Sequence, residues 1–207
     1  MTIAPLLFAA VIGFNHAFEI DHMLAVGNIA NTRTRMIHAL RDGIFWGLGH
    51  TSTIFFVGCI ILLGKITFQI SNFEYLEIIV GITMIWIGFS RLNQLLKSKK
   101  QIAVNVNSGK AHNHKMAYSI GLIHGLAGSG AVVLLAMTEI SSSSMSIAYL
   151  LLFGFGSIAG MMVVAGLFNL PIRNEFIAKS KIQLVFVGIS AVLCIGYGAW
   201  LAFSFLV

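Results

Sequence analysis

The sequence predicts an all-α integral membrane protein: six transmembrane helices arranged as two inverted three-helix repeats. Three observations carry this. Apolar residues make up 57% of the chain and charged residues only 10%, with mean hydropathy +0.90, whereas soluble domains carry about 25% charged residues. The apolar residues gather into stretches near the length of about 20 residues that crosses a bilayer core. Short motifs in the first half recur in order in the second at a nearly constant offset.

The six stretches run roughly 4–30, 43–63, 75–95, 117–139, 147–170 and 183–206. The loop after the first holds Arg33, Arg35 and Arg41. The loop after the third holds Lys97, Lys99, Lys100, Lys110 and Lys115, and the loop after the fifth holds Arg173, Lys179 and Lys181. The alternate loops hold Lys65 in one case and no basic residue in the other, where Ser141 to Ser144 form a short polar turn. Basic loops stay cytoplasmic, so both termini are expected outside a plasma (inner) membrane. The net charge of +6 lies in these loops rather than on one amphipathic surface, so nucleic acid is not an expected partner. The N-terminus lacks a basic n-region and a small-residue cleavage signature, so the first stretch reads as a retained helix. Cys59 and Cys194 lie mid-stretch, far apart, and offer no CxxC and no disulfide framework.

The halves align at offsets of 107 or 108 residues. Gly13-Phe14-Asn15-His16-Ala17-Phe18 matches Gly121-Leu122-Ile123-His124-Gly125-Leu126. Val80-Gly81-Ile82-Thr83 matches Val187-Gly188-Ile189-Ser190, and Ile87-Gly88-Phe89 matches Ile195-Gly196-Tyr197. Three stretches per half is an odd number, so the halves would face opposite ways, a recurrent transporter design with the substrate site near the midplane. The expected organisation is one transmembrane domain, 1–207. Repeat 1 covers about 1–96, a basic cytoplasmic loop about 97–116, and repeat 2 about 117–207.

The first stretch also carries Asn15-His16-Ala17-Phe18-Glu19-Ile20-Asp21-His22. An ionisable group at a bilayer centre costs about 2.5 to 3.5 kcal/mol on insertion scales. Four in seven residues are hard to explain as filler, and His with carboxylate is the ligand set of divalent transition metals. On a continuous helix at about 100° per residue, His16, Glu19, Asn15 and His22 share an arc of about 120° while Asp21 falls outside it. Either Asp21 holds a different partner, or the helix is locally unwound so that all the groups converge; Gly27 and Asn28 downstream make irregularity easier. The second stretch adds His50 in Gly47-Leu48-Gly49-His50-Thr51-Ser52-Thr53, and the fourth adds His124. His124 also fits a core histidine bonded to a carbonyl, His50 a capped bend with Thr51, and Glu19 a solvated group. Glu139 reads as an interface residue, and His112 and His114 as members of a solvated loop. The pairs Gly43/Gly47, Gly121/Gly125 and Gly156/Gly160 have GxxxG spacing and read as close-packing positions.

These motifs carry a family resemblance over essentially the whole chain. His16-x4-Asp21-His22 resembles the HX4DH signature of nickel/cobalt permeases, and Leu48-Gly49-His50-Thr51-Ser52 resembles their LGHS/T motif. His124-Gly125-Leu126-Ala127-Gly128-Ser129-Gly130 is similar to the HGLAGS stretch of the shorter, UreH-type urease accessory branch. The resemblance implies a metal site of His16, Asp21, His22 and His50, with Glu19, His124 and Asn15 as secondary candidates. It implies nickel as transported substrate, with cobalt as the other candidate, and cytoplasmic metallochaperones or urease maturation proteins as partners. The longer permeases have eight segments and an acidic residue after their second-half HGL; this chain has neither. No Walker A pattern is present, and no catalytic residue or resident cofactor is expected. Two other classes match part of the pattern. A membrane acyltransferase fits Asn15-His16-x4-Asp21 but lacks a Gly-rich acceptor motif. A thiol-redox carrier would place its cysteines at equivalent repeat positions, which Cys59 and Cys194 do not occupy.

Overall fold

In a computed structural model the described residues are 4–33, 35–64, 74–100, 114–125, 134, 140, 142–173 and 181–204. They form seven helices: α1 Ala4–His16, α2 Ile20–Ala30, α3 Met36–Gly64, α4 Glu74–Lys100, α5 Lys115–His124, α6 Ser143–Arg173 and α7 Lys181–Ser204. Four stretches are long and apolar enough to span a membrane: Met36–Gly64, Tyr75–Lys97, Ser143–Leu170 and Leu184–Ser204. The chain is therefore an all-helical membrane protein. Phe8, Phe56, Leu63, Phe155 and Phe203 point outward, the reverse of a water-facing surface and suited to lipid.

The first stretch, read as one segment over 4–30, is two helices separated by a turn at Ala17–Glu19. α3 begins before the apolar window opens, because Asp42 in its second turn is paired with Arg33 and can be buried. The fourth stretch is described as helix to His124 and again at Leu134; Glu139, Lys65 and His112 lie outside the described residues. Pro5 stands in the first turn of α1, where its missing N–H has no helical partner to lose.

Glycine decides the packing. A Cβ at Gly13 would fall on the Phe153 carbonyl and one at Gly156 on the Ala10 carbonyl, which joins α1 to α6. A Cβ at Gly121 would fall on the Trp46 carbonyl and one at Gly49 on the Tyr118 carbonyl, which joins α5 to α3. Gly47 packs on Ile158 and Gly154 on Thr51 between α3 and α6; Gly81 and Gly198 meet between α4 and α7. Close approach of backbones through small residues is how helices associate where lipid offers no hydrophobic drive.

α2 is wrapped by α3, α4, α6 and α7 and is buried from Asp21 to Ala30 apart from Met23. A buried helix end must have its last carbonyls satisfied. Asn169 donates to Ala30 O at 3.0 Å and Arg33 O at 2.7 Å, and Arg91 Nη2 donates to Asn31 O at 2.9 Å. At this same end Arg33 clasps Asp42 through two nitrogens, and His114 Nδ1 lies 2.6 Å from Asp42 Oδ1 with its ring stacked on Phe45. His114 is thus a mostly buried, paired residue at the start of α5 rather than part of a solvated loop. These contacts gather the ends of α2, α4 and α6 with the starts of α3 and α5 on one side of the bundle.

Candidate metal centre

α1 stops at His16. Phe18 N–H donates to Asn15 O at 2.9 Å and Glu19 N–H to His16 O at 3.1 Å, closing a tight turn. Glu19 is extended (φ −64°, ψ 149°) and launches α2. The break re-aims everything after it. Asp21, which a continuous helix would turn away, now lies beside His22, and the His16 and His22 ring centroids come to 4.3 Å. The helix is therefore broken, as the second alternative for Asp21 has it, and the break gathers His16, Glu19, Asp21 and His22 but not Asn15. The break sits at Ala17–Glu19, upstream of Gly27 and Asn28, which are regular α2 residues; Asn28 Nδ2 donates to Leu24 O and to Ser190 O.

α3 brings His50 against both rings, with centroids 4.8 Å from His16 and 5.1 Å from His22. One side-chain nitrogen from each of His16, His22 and His50 lies within 4.8 Å of the other two. Glu19, Asp21 and His22 form a second such group around His22. His124 joins from α5, its ring centroid 5.9 Å from His22. All four histidines are buried. Asn15 is the exception among the sequence candidates: it is exposed.

Ring orientation follows a rule. His16 Nδ1 lies 3.1 Å from Glu19 Oε1, and His22 Nδ1 lies 2.7 Å from Asp21 Oδ2, close though not aligned as a hydrogen bond. His124 Nδ1–H donates to Ile120 O at 3.0 Å. In each case an oxygen stands beside Nδ1 and Nε2 points away from it, the arrangement that fixes tautomer and basicity in metal-binding histidines. Nε2 of His22 and of His124 is buried with no hydrogen-bond partner, as is Nδ1 of His50. His16 Nε2 and His50 Nε2 approach to 2.9 Å. Unsatisfied buried imidazole nitrogens are expensive, and these stand together where their lone pairs could serve one cation.

Two residues that sequence reasoning passed over complete the walls. Trp46 lies between three of the rings: parallel to His50 at 5.5 Å, edge-on to His22 at 5.0 Å and tilted to His124 at 5.3 Å. Phe153 covers His16 at 5.4 Å from the other side. The signal for Trp46 was its i, i+4 spacing to His50, which puts the two on one face of α3. α1 and α5 also both end at a histidine of the cluster, so two helix C-termini, each the negative end of its dipole, close on the same region.

The chain is 31% identical over 196 residues to the urease accessory protein UreH of Bacillus sp. (strain TB-90), an alignment covering 91% of this chain and 86% of the relative. The chain belongs to the UreH family. No protein-family profile matches it and no solved structure does. UreH membership agrees with the resemblance carried by His16-x4-Asp21-His22, Leu48–Ser52 and His124–Gly130. A UreH-type chain is an accessory membrane protein, not an enzyme.

Proposed function

We propose that this chain imports a divalent transition-metal ion, Ni2+ with Co2+ as the other candidate, across the plasma membrane by alternating access. His16, His22 and His50 are the ligands, Asp21 and Glu19 orient and neutralise them, and His124 closes the shell. The observation that carries this is the set of three buried histidine nitrogens within 4.8 Å of one another, backed by two carboxylates, at a helix break. Nitrogens bound at right angles to one ion, with bonds of about 2.0–2.1 Å, stand about 2.9 Å apart. His16 Nε2 and His50 Nε2, hydrogen-bonded to each other at 2.9 Å, already stand at that separation. Square or octahedral coordination by imidazole suits Ni2+ over a tetrahedral ion, and a urease accessory relative agrees with nickel, the metal that the motif resemblance implies.

The inverted-repeat reading draws support from the packing. Shifting Gly13–Phe153 by the offset of 107 or 108 gives Gly121–Trp46, and both contacts exist; Gly156–Ala10 maps onto Gly49–Tyr118, and Gly154–Thr51 onto Gly47–Ile158. Phe153 over His16 and Trp46 over His124 are equivalent ring contacts. Such a fold places α1 and α5 as half-helices entering from opposite faces, with repeat 1 about 1–96 and repeat 2 about 117–207. Both termini then lie outside, and the end tied by Arg33, Asp42 and His114 is cytoplasmic and closed. Released metal would pass to cytoplasmic metallochaperones or urease maturation proteins. A membrane potential of 100 mV moves a divalent cation inward with about 4.6 kcal/mol, more than a thousandfold in concentration, without ATP.

The acyltransferase alternative needs His16 oriented by Asp21. Instead Asp21 lies against His22, and Asn15 is exposed. A thiol carrier needs cysteines that can meet, and Cys59 on α3 and Cys194 on α7 are separate free thiols. The deciding experiment is uptake of nickel, cobalt, zinc and manganese into vesicles containing the purified protein. Uptake of nickel or cobalt above that of protein-free vesicles is expected; no uptake of any of the four overturns the proposal.

A further inference from the structure

Between α2, α4 and α7 lies a cavity of about 580 Å³, bounded by Glu19, Asp21, Glu77, Tyr197, Trp200 and Ser204 among others. It opens at the end of the bundle where α4 begins and α7 ends, away from the Arg33–Asp42–His114 cluster. Three carboxylates line it, and none of its described lining residues is a lysine or arginine. An acidic wall alone says little, since acidic groups cluster on many surfaces. Here two of the lining carboxylates also touch the histidine cluster, Glu19 at 3.1 Å from His16 Nδ1 and Asp21 at 2.7 Å from His22 Nδ1. The Glu19 side chain is 40% exposed, Asp21 is 13% exposed, and His22, next in the chain and 2.7 Å from Asp21, is fully buried with Nε2 unpartnered. The exposure falls stepwise from the cavity mouth to the histidine cluster.

We propose that this cavity is the vestibule through which a hydrated divalent cation reaches the histidines, and that Glu77 is its capture residue. Glu77 belongs to the third stretch, carries no motif, and reaches the same cavity as the two motif carboxylates only because α4 packs beside α2. A divalent ion sheds water reluctantly, so a wide acidic chamber ahead of a dry nitrogen site divides dehydration into steps. A cleft lined by one sign of charge also concentrates the counter-ion and raises its rate of arrival, in a salt-dependent way. Glu77 therefore governs access, whereas His22 governs binding.

This inference rests on the import reading above, and the test separates the two. Ni2+ uptake is measured in vesicles for the unaltered chain, Glu77→Gln, Glu77→Asp and His22→Ala at low and high ionic strength. Glu77→Gln is expected to raise KM roughly 3- to 10-fold at low salt, with Vmax nearly unchanged and the difference shrinking at high salt. Glu77→Asp should restore most of the affinity. His22→Ala should abolish uptake. An inactive His22→Ala beside a Glu77→Gln of unchanged KM overturns the vestibule and leaves the import reading standing. A His22→Ala that transports normally overturns both. A second measurement needs no transport: Ser204→Cys in a Cys59→Ser background, labelled in detergent by cationic and anionic thiosulfonates. The cationic reagent should react several-fold faster, Ni2+ should slow it, and Glu77→Gln should narrow the ratio. Equal rates for the two reagents, or labelling indifferent to Ni2+, overturn the proposal even if Glu77→Gln fails to insert.

Discussion

Asp21→Asn is the substitution that most directly tests how the proposed metal centre is built. It keeps the shape of the side chain and removes its negative charge. In the structure Asp21 Oδ2 stands 2.7 Å from His22 Nδ1, and the carboxylate is 13% exposed, so solvent screens the pair little. No other hydrogen-bond partner holds His22 Nδ1, so nothing takes over when the charge is gone. Loss of a carboxylate that orients a ligating histidine weakens metal binding by about 10- to 100-fold. At about 1.4 kcal/mol per tenfold this is about 1.4 to 2.7 kcal/mol. The assay is isothermal titration of Ni2+ into the protein in nanodiscs, paired with the KM for vesicle uptake. Affinity within about twofold of the unaltered chain would refute the orienting role. Loss beyond about ten-thousandfold, more than an orienting partner supplies, would make Asp21 a direct ligand instead.

Other expectations follow from the same geometry. His16→Ala, His22→Ala and His50→Ala should each abolish uptake while membrane insertion, followed by fractionation, is kept or improved, because a buried polar group has been removed. His124→Ala should reduce uptake less than His16→Ala, and His124→Gln less still, since His124 stands in the outer ring of the cluster at 5.9 Å from His22; equal loss in all three would refute the ranking. Gly13→Ala and Gly121→Ala should each destabilise by about 1–3 kcal/mol in detergent unfolding, because the new Cβ falls on a carbonyl of the facing helix, whereas Gly196→Ala, with open space around it, should be near neutral. A reporter fused at residue 105 should read cytoplasmic; an exterior reading would overturn the orientation.

Much of this was legible in the sequence because a bilayer makes polar residues conspicuous. His16, Asp21, His22 and His50 stood out against apolar surroundings, and the structure brings their rings and carboxylates together. The helix break was legible only as a contradiction: the wheel left Asp21 off the face its neighbours shared. Its position was not legible, because Ala17-Phe18-Glu19 contains neither Gly nor Pro, and tertiary packing overrides the helical preference of those residues. Trp46 and Glu77 were missed for opposite reasons. Trp46 looks like any apolar core residue, and Glu77 like any charge at the end of a span. Each takes its role from a neighbour far away in sequence. His114 was misread because its partner Asp42 lies 72 residues earlier, and no local pattern links them.

A packing frame with two-fold character here holds a site without it. The glycine contacts, the paired aromatics and the helix ends at His16 and His124 repeat between the halves, yet the ligands do not. At the shift of 107, His50 corresponds to Ser157, and at 108 Asp21 corresponds to Ser129. Ser157 is buried with its hydroxyl unpartnered, one turn from the Phe153 that covers His16. A symmetric metal site would present equal ligands to both membrane faces, so that the ion had no preferred partner to leave. On the import proposal, concentrating the carboxylates and three histidines in the first half would tie the ion to one side of a rocking interface. The second half, with His124 and Ser157, would supply a weaker wall that moves away. On this account, strengthening that wall is harmful: Ser157→His, which adds an imidazole where the first half has His50, should tighten Ni2+ binding in titration while slowing Vmax for uptake. A variant that binds more tightly and transports faster would show that release is not governed by the asymmetry of the ligands.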